Sequence, residues 1–258
     1  MTSADIARIE NLSSEAAVHF RDELRAARGR ALQDAEAFQA IIQAVERLGG
    51  YLQGGRTRGL WGYREFLHRL AQQSVLAKRT PTKHPDLHPA FLDLLQNVAD
   101  ARNAAIHEGT FARMLTAHSV ELALILEHAL MSKRTRVRDY MVQEVMTAAP
   151  WQPLSLVRRT LLANSYSYLP ITMSAGEWRL LSDYGLAGYL KSDSNAEVRM
   201  NETVEDAYEQ GLKLEEPLVC VGDTPVSEVL TSCGGLPTLV VSEDGSRLLG
   251  IATPFDLL

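Results

Sequence analysis

The first half of the chain carries apolar residues at the spacing of an amphipathic helix. Two such stripes follow one another between residues 13 and 53, and a third lies within residues 60–77. A fourth begins at Phe91, and a last one ends at about Met131. Since steps of three and four place side chains on one helix face, this pattern predicts an all-α helical bundle of four or five helices over residues 1–132.

The second half changes to short strands and helices, in an order that occurs twice. Residues 133–190 and residues 217–258 each follow the order strand, helix, strand, strand, helix, and a polar, acidic helix is predicted to link them over 191–216. Because neither unit is large enough to enclose a core, the two are expected to pack as a tandem β-α-β-β-α pair. The predicted fold class is α+β, with the helical bundle followed by a second domain at 133–258.

Three local predictions concern the ends of these elements. The strand that opens the first unit is expected over 145–150, and the Gly49-Gly50 pair is expected to weaken the end of the second helix. Residues 53–59 form a glycine-rich basic turn that lacks the lysine and the following Ser or Thr of a phosphate loop. This turn is either a contact to RNA backbone or a plain solvated connection.

Composition is that of an ordinary globular protein, but charge is unevenly divided. Hydrophobic residues make up 46% of the chain and charged residues 22%. Residues 1–138 hold 19 Lys+Arg and 15 Asp+Glu, net +4, whereas residues 139–258 hold 7 and 17, net −10. A mildly basic first half suits either contact with a polyanion or ordinary solvation. The basic connector at 132–138 has the same two interpretations, a segment beside bound RNA or a solvated hinge.

Several classes of protein are not expected from this sequence. No apolar run approaches the roughly 20 residues that span a bilayer, and the N-terminus lacks the pattern of a secretory signal, so a cytoplasmic protein without a membrane partner is predicted. Cys220 and Cys233 are then expected to remain reduced. A metal site is not expected, because Pro85 separates His84 from His88 and they cannot share a helix face.

The chemistry of the first half centres on Arg102-Asn103 and His107, at the end of the fourth helix. Arg102 lies eleven residues beyond Phe91 and so falls on the apolar stripe, where a guanidinium is costly unless it is paired or binds a ligand. Residues five apart on a straight helix point about 140° apart, so Arg102 and His107 cannot share one site there. Either the helix bends or a second copy of the chain completes the site.

This Arg-Asn-x-x-x-His motif, placed before the last long helix of a bundle, resembles the signature of the HEPN superfamily. The resemblance implies a metal-independent endoribonuclease whose site forms at a homodimer interface. His107 would then act as general base or acid, Arg102 would hold the scissile phosphate, and Asn103 would orient either group. The alternative is structural: Arg102 pairs with Asp100, Glu108 or a partner chain and stabilises an interface.

The two units of the second half resemble cystathionine-β-synthase (CBS) domains, which pair into a Bateman module. The second unit carries Leu236-Pro237, an acidic-glycine turn and Gly250-Ile251-x-Thr253-x-x-Asp256. The resemblance implies a regulatory adenosine nucleotide, ATP, ADP or AMP. Asp256 would accept hydrogen bonds from the ribose, Thr253 would contact ribose or phosphate, and backbone near Pro237 and Thr238 would line the base.

The first unit departs from that pattern. Ser182 stands where the second unit has Thr253, but Gly185 occupies the acidic position, so this site would lack the ribose contact. For the second unit an alternative without ligand also exists, in which Thr253 caps a helix and Asp256 lies in its first turn.

The function predicted from the sequence is therefore a homodimeric, metal-independent endoribonuclease regulated by an adenosine nucleotide, with RNA and not DNA as partner. The rival hypothesis is a non-catalytic nucleotide sensor that uses the bundle for dimerisation or partner binding. A third reading concerns biological role: the toxin of a toxin–antitoxin or phage-defence pair.

Overall fold

The computed structural model describes residues 3–55, 59–78, 89–105, 112–173, 177–191 and 196–257. The chain forms two compact units, Met1–Arg134 and Thr135–Leu258. The two units are described separately below.

The first unit is helical throughout its described residues. Ser13 begins the second helix as its N-cap, because its Oγ accepts a hydrogen bond from the Ala16 amide at 3.2 Å. The helices are α1 (Ser3–Glu10), α2 (Ser14–Gln33), α3 (Phe38–Gln53), α4 (Arg64–Ala71), α5 (Val75–Lys78), α6 (Phe91–Ala105) and α7 (Ala112–Met131), with 3₁₀ turns at Ala35–Ala37 and Leu60–Tyr63. The third predicted stripe is thus divided among a 3₁₀ turn and two helices.

Helix α7 is the central helix of this unit and packs against α2, α3, α4 and α6. Its segment Met114–Met131 is apolar enough, by length and composition alone, to cross a membrane. This corrects the expectation that no run approaches that length. In the structure 56% of the segment is buried, and its Leu115, Leu122 and Leu126 side chains are fully enclosed in the helical core.

Helix α3 does not weaken at Gly49-Gly50, as the sequence suggested, but continues to Gln53. The reason is packing: a Cβ at Gly49 would lie 2.5 Å from Cγ of Tyr63, so only glycine lets that ring approach the helix. The helix ends instead at Gly54, whose φ of 85° is the left-handed conformation favoured at a helix C-terminus.

The second unit contains two small sheets. Its elements are α8 (Leu154–Asn164), β1 (Tyr168–Thr172), β2 (Trp178–Ser182), α9 (Asp183–Lys191), α10 (Ala196–Arg199), α11 (Val204–Glu209), β3 (Val219–Val221), α12 (Val226–Ser232), β4 (Thr238–Val241), β5 (Leu248–Ala252) and α13 (Pro254–Leu257). Strands β1 and β2 are antiparallel; in the sheet β3-β4-β5, β4 is parallel to β3 and antiparallel to β5. The strand predicted over 145–150 is reduced to one bridge, Ala148 to Ile171.

The two repeats exchange the segments that precede them. Residues 136–142, here called the leading segment, insert Val137 into the core of the second repeat, and Val142 pairs with Ile251 of β5. Residues 203–215, the intervening segment, insert Val204 and Ala207 into the core of the first repeat. The predicted linker helix is therefore two short helices, α10 and α11, with the apolar face of α11 buried rather than exposed.

Gly250 permits this exchange. A Cβ at that position would lie 2.6 Å from Sδ of Met141 and 2.9 Å from the carbonyl oxygen of Val142. The glycine of the Gly250-Ile251 pair thus has a packing role, because it lets the leading segment lie directly against β5.

Candidate functional site

Four of the predicted ligand residues meet at one end of the second repeat's sheet, where strands β3 and β4 begin and β5 ends. Thr238 begins β4 and is paired with Ala252 at the end of β5, so Pro237 and Thr253 lie beside each other at that edge. The start of β3 lies there too, since Val219 pairs with Leu239. We call this the Thr238 edge, formed by Leu218, Pro237, Thr238, Thr253 and Asp256. The tertiary structure thus brings Pro237 and Thr238 together with Thr253 and Asp256, which lie 15 to 19 positions later in the sequence.

Thr253 and Asp256 are joined by a reciprocal set of hydrogen bonds. The Thr253 amide and hydroxyl donate to Asp256 Oδ2 at 3.0 and 2.7 Å, and the Asp256 amide donates to Thr253 Oγ1 at 3.2 Å. This is the geometry of a helix cap, as the alternative without ligand required. It also fixes a carboxylate in a half-buried position at the Thr238 edge, with its orientation determined by the protein.

Thr238 has a polar atom that the protein does not satisfy. Its side chain is fully buried, at 0% exposure, and its Oγ1 has no hydrogen-bond partner among the described residues. A buried hydroxyl left without a partner costs about 1–3 kcal/mol. Groups of this kind require an explanation; because this oxygen is enclosed, a polar molecule bound at the Thr238 edge supplies one only if the edge opens around it.

In the first repeat Ser182 stands where the second repeat has Thr253, and its hydroxyl is satisfied internally. Ser182, at the end of β2, is 2% exposed; its Oγ donates to Glu215 Oε1 at 2.8 Å and accepts from the Gly185 amide at 3.0 Å. A Cβ at Gly185 would lie 3.0 Å from that Oγ and 3.2 Å from the Lys213 carbonyl oxygen. The glycine at the acidic position is therefore closely surrounded by protein atoms and does not line an open cleft.

Sequence reasoning missed Glu215, because the acidic intervening segment was interpreted as a polar linker. Its amide and carbonyl both bond Leu180 of β2, at 2.9 Å each, which places its carboxylate beside Ser182. Burial raises the pKa of Tyr168, and the charges of Glu215 and Asp183 raise it further. The position of Glu215 in the sequence could have indicated this pairing, because Leu214-Glu215 precedes the second repeat as Met141-Val142 precedes the first.

In the helical unit, Arg102 lies at the edge of the α6 stripe rather than in it. The stripe itself is buried as predicted, at Phe91, Leu94, Leu95 and Val98. The Arg102 side chain is 40% exposed, and its Nη1 lies 2.5 Å from Glu46 Oε1 of α3. This partner differs from those proposed from the sequence: Asp100 accepts a hydrogen bond from Gln96 instead.

Of the other two motif residues, the structure describes only the backbone of Asn103. Asn103 belongs to α6, but its side chain lies outside the described residues, as do His107 and Glu108 altogether. Whether the three motif side chains converge therefore stays a prediction.

The basic connector is occupied by protein contacts. Lys133 Nζ donates to the Glu10 carbonyl oxygen at 2.8 Å, and Arg134 donates to Ser14 Oγ and to the Leu12 carbonyl oxygen, all in the first unit. In the second unit, the Asp223 carbonyl oxygen accepts from Arg136, and its carboxylate pairs with Arg138. Lys133, Arg136 and Arg138 nevertheless remain exposed, so the solvated hinge and the segment beside bound RNA both stay predictions.

Metal ligands are sparse in what the structure describes. Within the described ranges no group of three or more His, Cys, Asp or Glu side chains is placed to hold a metal ion. His84 and His88 lie outside those ranges. Cys220 and Cys233 are both free thiols, the first half-buried and the second buried.

No protein-family model and no curated protein matches this sequence. Solved structures do match. A CBS-domain-containing protein from Agrobacterium tumefaciens is 18% identical, with 48% of this chain and 90% of that protein covered and a TM-score of 0.37. CBSX2, a protein of Arabidopsis thaliana, in complex with AMP is 21% identical over 47% of this chain and 92% of its own, with a TM-score of 0.36.

The CBS domain pair of protein MJ0100, in complex with 5′-methylthioadenosine and S-adenosyl-L-methionine, is 20% identical over 48% of this chain and 96% of its own, with a TM-score of 0.38. The structures to which this chain is similar are thus CBS-domain pair proteins, and the likeness extends over about half of it.

Proposed function

We propose that the second unit is a nucleotide-sensing regulatory module of the CBS type, which binds an adenosine nucleotide at the Thr238 edge. The observation that carries the proposal is that a buried, unpartnered hydroxyl, Thr238, and a fixed carboxylate, Asp256, occur at the same end of the sheet, where β4 begins and β5 ends. A hydroxyl inside and a carboxylate at the rim provide polar groups of two kinds at one site, as small-molecule sites typically do.

Each residue of the edge has a role in this proposal. The Asp256 carboxylate accepts hydrogen bonds from the ribose hydroxyls, in a charge-assisted geometry. Backbone near Pro237 and Thr238 lines the base, and Thr238 Oγ1, enclosed in the unliganded chain, hydrogen-bonds a ring or exocyclic nitrogen once the edge opens. Thr253 holds the carboxylate in place and contacts ribose or phosphate. Binding regulates the protein only if the ligand prefers one of two arrangements of the chain.

Isothermal titration calorimetry of the full chain with AMP, ADP and ATP tests this function. Asp256→Asn is the informative variant, because an amide oxygen can still accept the two hydrogen bonds from Thr253, so the helix cap is retained while the charge is lost. We expect at least about a tenfold loss of affinity from that change.

Asp244→Asn is the matched control. It removes the same charge from the same repeat, but in the hairpin turn between β4 and β5, at the opposite end of the sheet. Its affinity should stay within about twofold of wild type. Absence of binding in the wild-type chain would refute the proposed function.

A second candidate function, which we also propose, is the metal-independent endoribonuclease implied by the HEPN resemblance. The observation that favours it is the state of Arg102: a partly exposed guanidinium in the last turn of α6, oriented by Glu46 rather than buried. A cation held in this way is suited to bind a phosphodiester. His107 would supply acid–base catalysis and Asn103 orientation, with a second copy of the chain completing the site because Arg102 and His107 are five residues apart.

This activity is tested by incubating the purified chain with total RNA in EDTA, with and without AMP or ATP. His107→Ala should abolish cleavage, whereas His118→Ala, which changes a histidine on α7 outside the motif, should retain it. Identical RNA profiles for wild type and His107→Ala would end the nuclease hypothesis, and the non-catalytic sensor would remain.

A further inference from the structure

We infer that one position controls whether an anionic nucleotide can enter a repeat: Val142 leaves the second repeat open, and Glu215 closes the first, which already lacks the acidic residue at Gly185, so that each chain binds one nucleotide. This inference rests on the proposed function and goes beyond it, because it names the residue that sets stoichiometry and charge selectivity.

The two residues occupy the same place in the two repeats. Val142 pairs with Ile251, which precedes Thr253 by two residues; Glu215 pairs with Leu180, which precedes Ser182 by two. In each pair both N–H···O bonds are exchanged, at 2.8 and 3.0 Å for Val142 with Ile251 and at 2.9 Å each for Glu215 with Leu180. Because the pairs have the same hydrogen-bonding pattern, the two side chains leave the backbone on the same side of their sheets.

In the first repeat this side chain acts as an internal occupant. The Glu215 carboxylate reaches diagonally to Ser182 Oγ, at 2.8 Å, and so takes the hydroxyl that a ligand would otherwise contact. Among the described residues Glu215 has no cationic partner, whereas the neighbouring Glu216 pairs with Arg179 at 3.3 Å. An unneutralised carboxylate at this point repels a phosphate as well as blocking it.

The second repeat presents the opposite surface. Val142 is 47% exposed and carries no charge. Its neighbour across the edge, Thr253, keeps its hydroxyl bonded to Asp256 rather than to the leading segment. At this one position the second repeat is therefore apolar where the first repeat is anionic; the carboxylate of the Thr238 edge belongs to Asp256, in α13.

The experiment transfers the first repeat's residue to the second. AMP and adenosine are titrated by calorimetry into the full-length wild type and into Val142→Glu. We expect one AMP per wild-type chain and, in Val142→Glu, at least about a tenfold loss of AMP affinity. The loss for uncharged adenosine should be several-fold smaller, and this difference distinguishes charge repulsion from a general loss of structure.

Val221→Glu is the matched control, since Val221 is also an exposed valine, at 37%, but lies at the far end of β3. Its AMP affinity should stay within about twofold of wild type.

Two AMP molecules per wild-type chain would overturn the inference, and so would a Val142→Glu variant that binds AMP as tightly as wild type or loses AMP and adenosine equally. In each of these cases the proposed nucleotide site would still stand. Failure of the wild type to bind AMP would instead remove the proposed function, and this inference with it.

Discussion

The two repeats of the second unit share a backbone plan but differ at the sheet edge where a ligand would bind. In the first repeat the buried Ser182 hydroxyl donates to Glu215 and accepts from the Gly185 amide, so it is satisfied. In the second repeat Thr253 and Asp256 bond each other, and the hydroxyl of Thr238 is left without a partner in the described structure. The comparison shows that a repeat can keep its backbone architecture while its polar side chains hydrogen-bond within the protein and are not left available to a ligand.

The register of the strands makes this comparison residue by residue. Leu239 is paired with Ile251 as Pro170 is paired with Leu180, so Thr238 corresponds to Leu169. The first repeat therefore has a buried leucine at the place where the second has a buried hydroxyl. An apolar side chain needs no partner there, whereas a hydroxyl does. This difference adds to the one between Val142 and Glu215 in the contrast between the two edges.

The largest change in stability is expected from a substitution that disrupts the packing of the leading segment against the second repeat and leaves the first repeat unchanged. Gly250→Ala places a methyl group 2.9 Å from the Val142 carbonyl oxygen, a backbone atom that cannot rotate away. We expect a loss of about 1–3 kcal/mol in the free energy of unfolding, measured by urea denaturation. Gly188→Ala, in α9 of the first repeat, has nothing within 4 Å and should be neutral or slightly stabilising. Equal stability of the two variants would contradict the role given to Gly250.

The internal network of the first repeat is tested by Ser182→Ala. The change leaves the Gly185 amide without its acceptor and Glu215 without its donor. Because Ser182 is buried, we expect a destabilisation of about 1–2 kcal/mol. Thermal unfolding followed by circular dichroism measures it; an unchanged melting temperature would mean that water replaces the serine at no cost.

Thr238→Val should have the opposite sign. Valine has nearly the same shape, is equally suited to a strand, and removes the unsatisfied hydroxyl. We expect the unliganded chain to gain about 1 kcal/mol in the free energy of unfolding, while AMP affinity falls. A loss of stability would show that the hydroxyl has a partner in solution without nucleotide.

The smallest effect concerns the electrostatics of the closed edge. Glu215 raises the pKa of Tyr168, second to burial as a cause. Glu215→Gln keeps an acceptor for Ser182 but removes the charge, so the pKa of Tyr168 should move down toward its ordinary value. A spectrophotometric or NMR titration of the tyrosines, assigned with Tyr168→Phe, measures this shift. An unchanged pKa of Tyr168 would mean that the Glu215 carboxylate does not act on this ring.

Local patterns in the chain were sufficient for much of the fold. Helical periodicity located the stripes of α2, α3, α6 and α7, because an amphipathic helix repeats its signal every turn. The repeated order of strands and helices, and the turn at Gly245, were likewise readable from neighbouring residues. The same reasoning selected Pro237, Thr238, Thr253 and Asp256 as one group through their resemblance to a known motif.

Pairings between distant segments were not readable in this way. The structural alternative for Arg102 named Asp100, Glu108 or a partner chain, but not Glu46, which lies 56 residues earlier and accepts its hydrogen bond. The intervening segment was predicted to be a polar linker, yet it places Val204 in a core and Glu215 beside Ser182. Periodicity reports which face of an element is buried but not which element covers it. The strand register and the exchange of segments between repeats, which decide whether an edge is open or closed, exist only once the chain has packed.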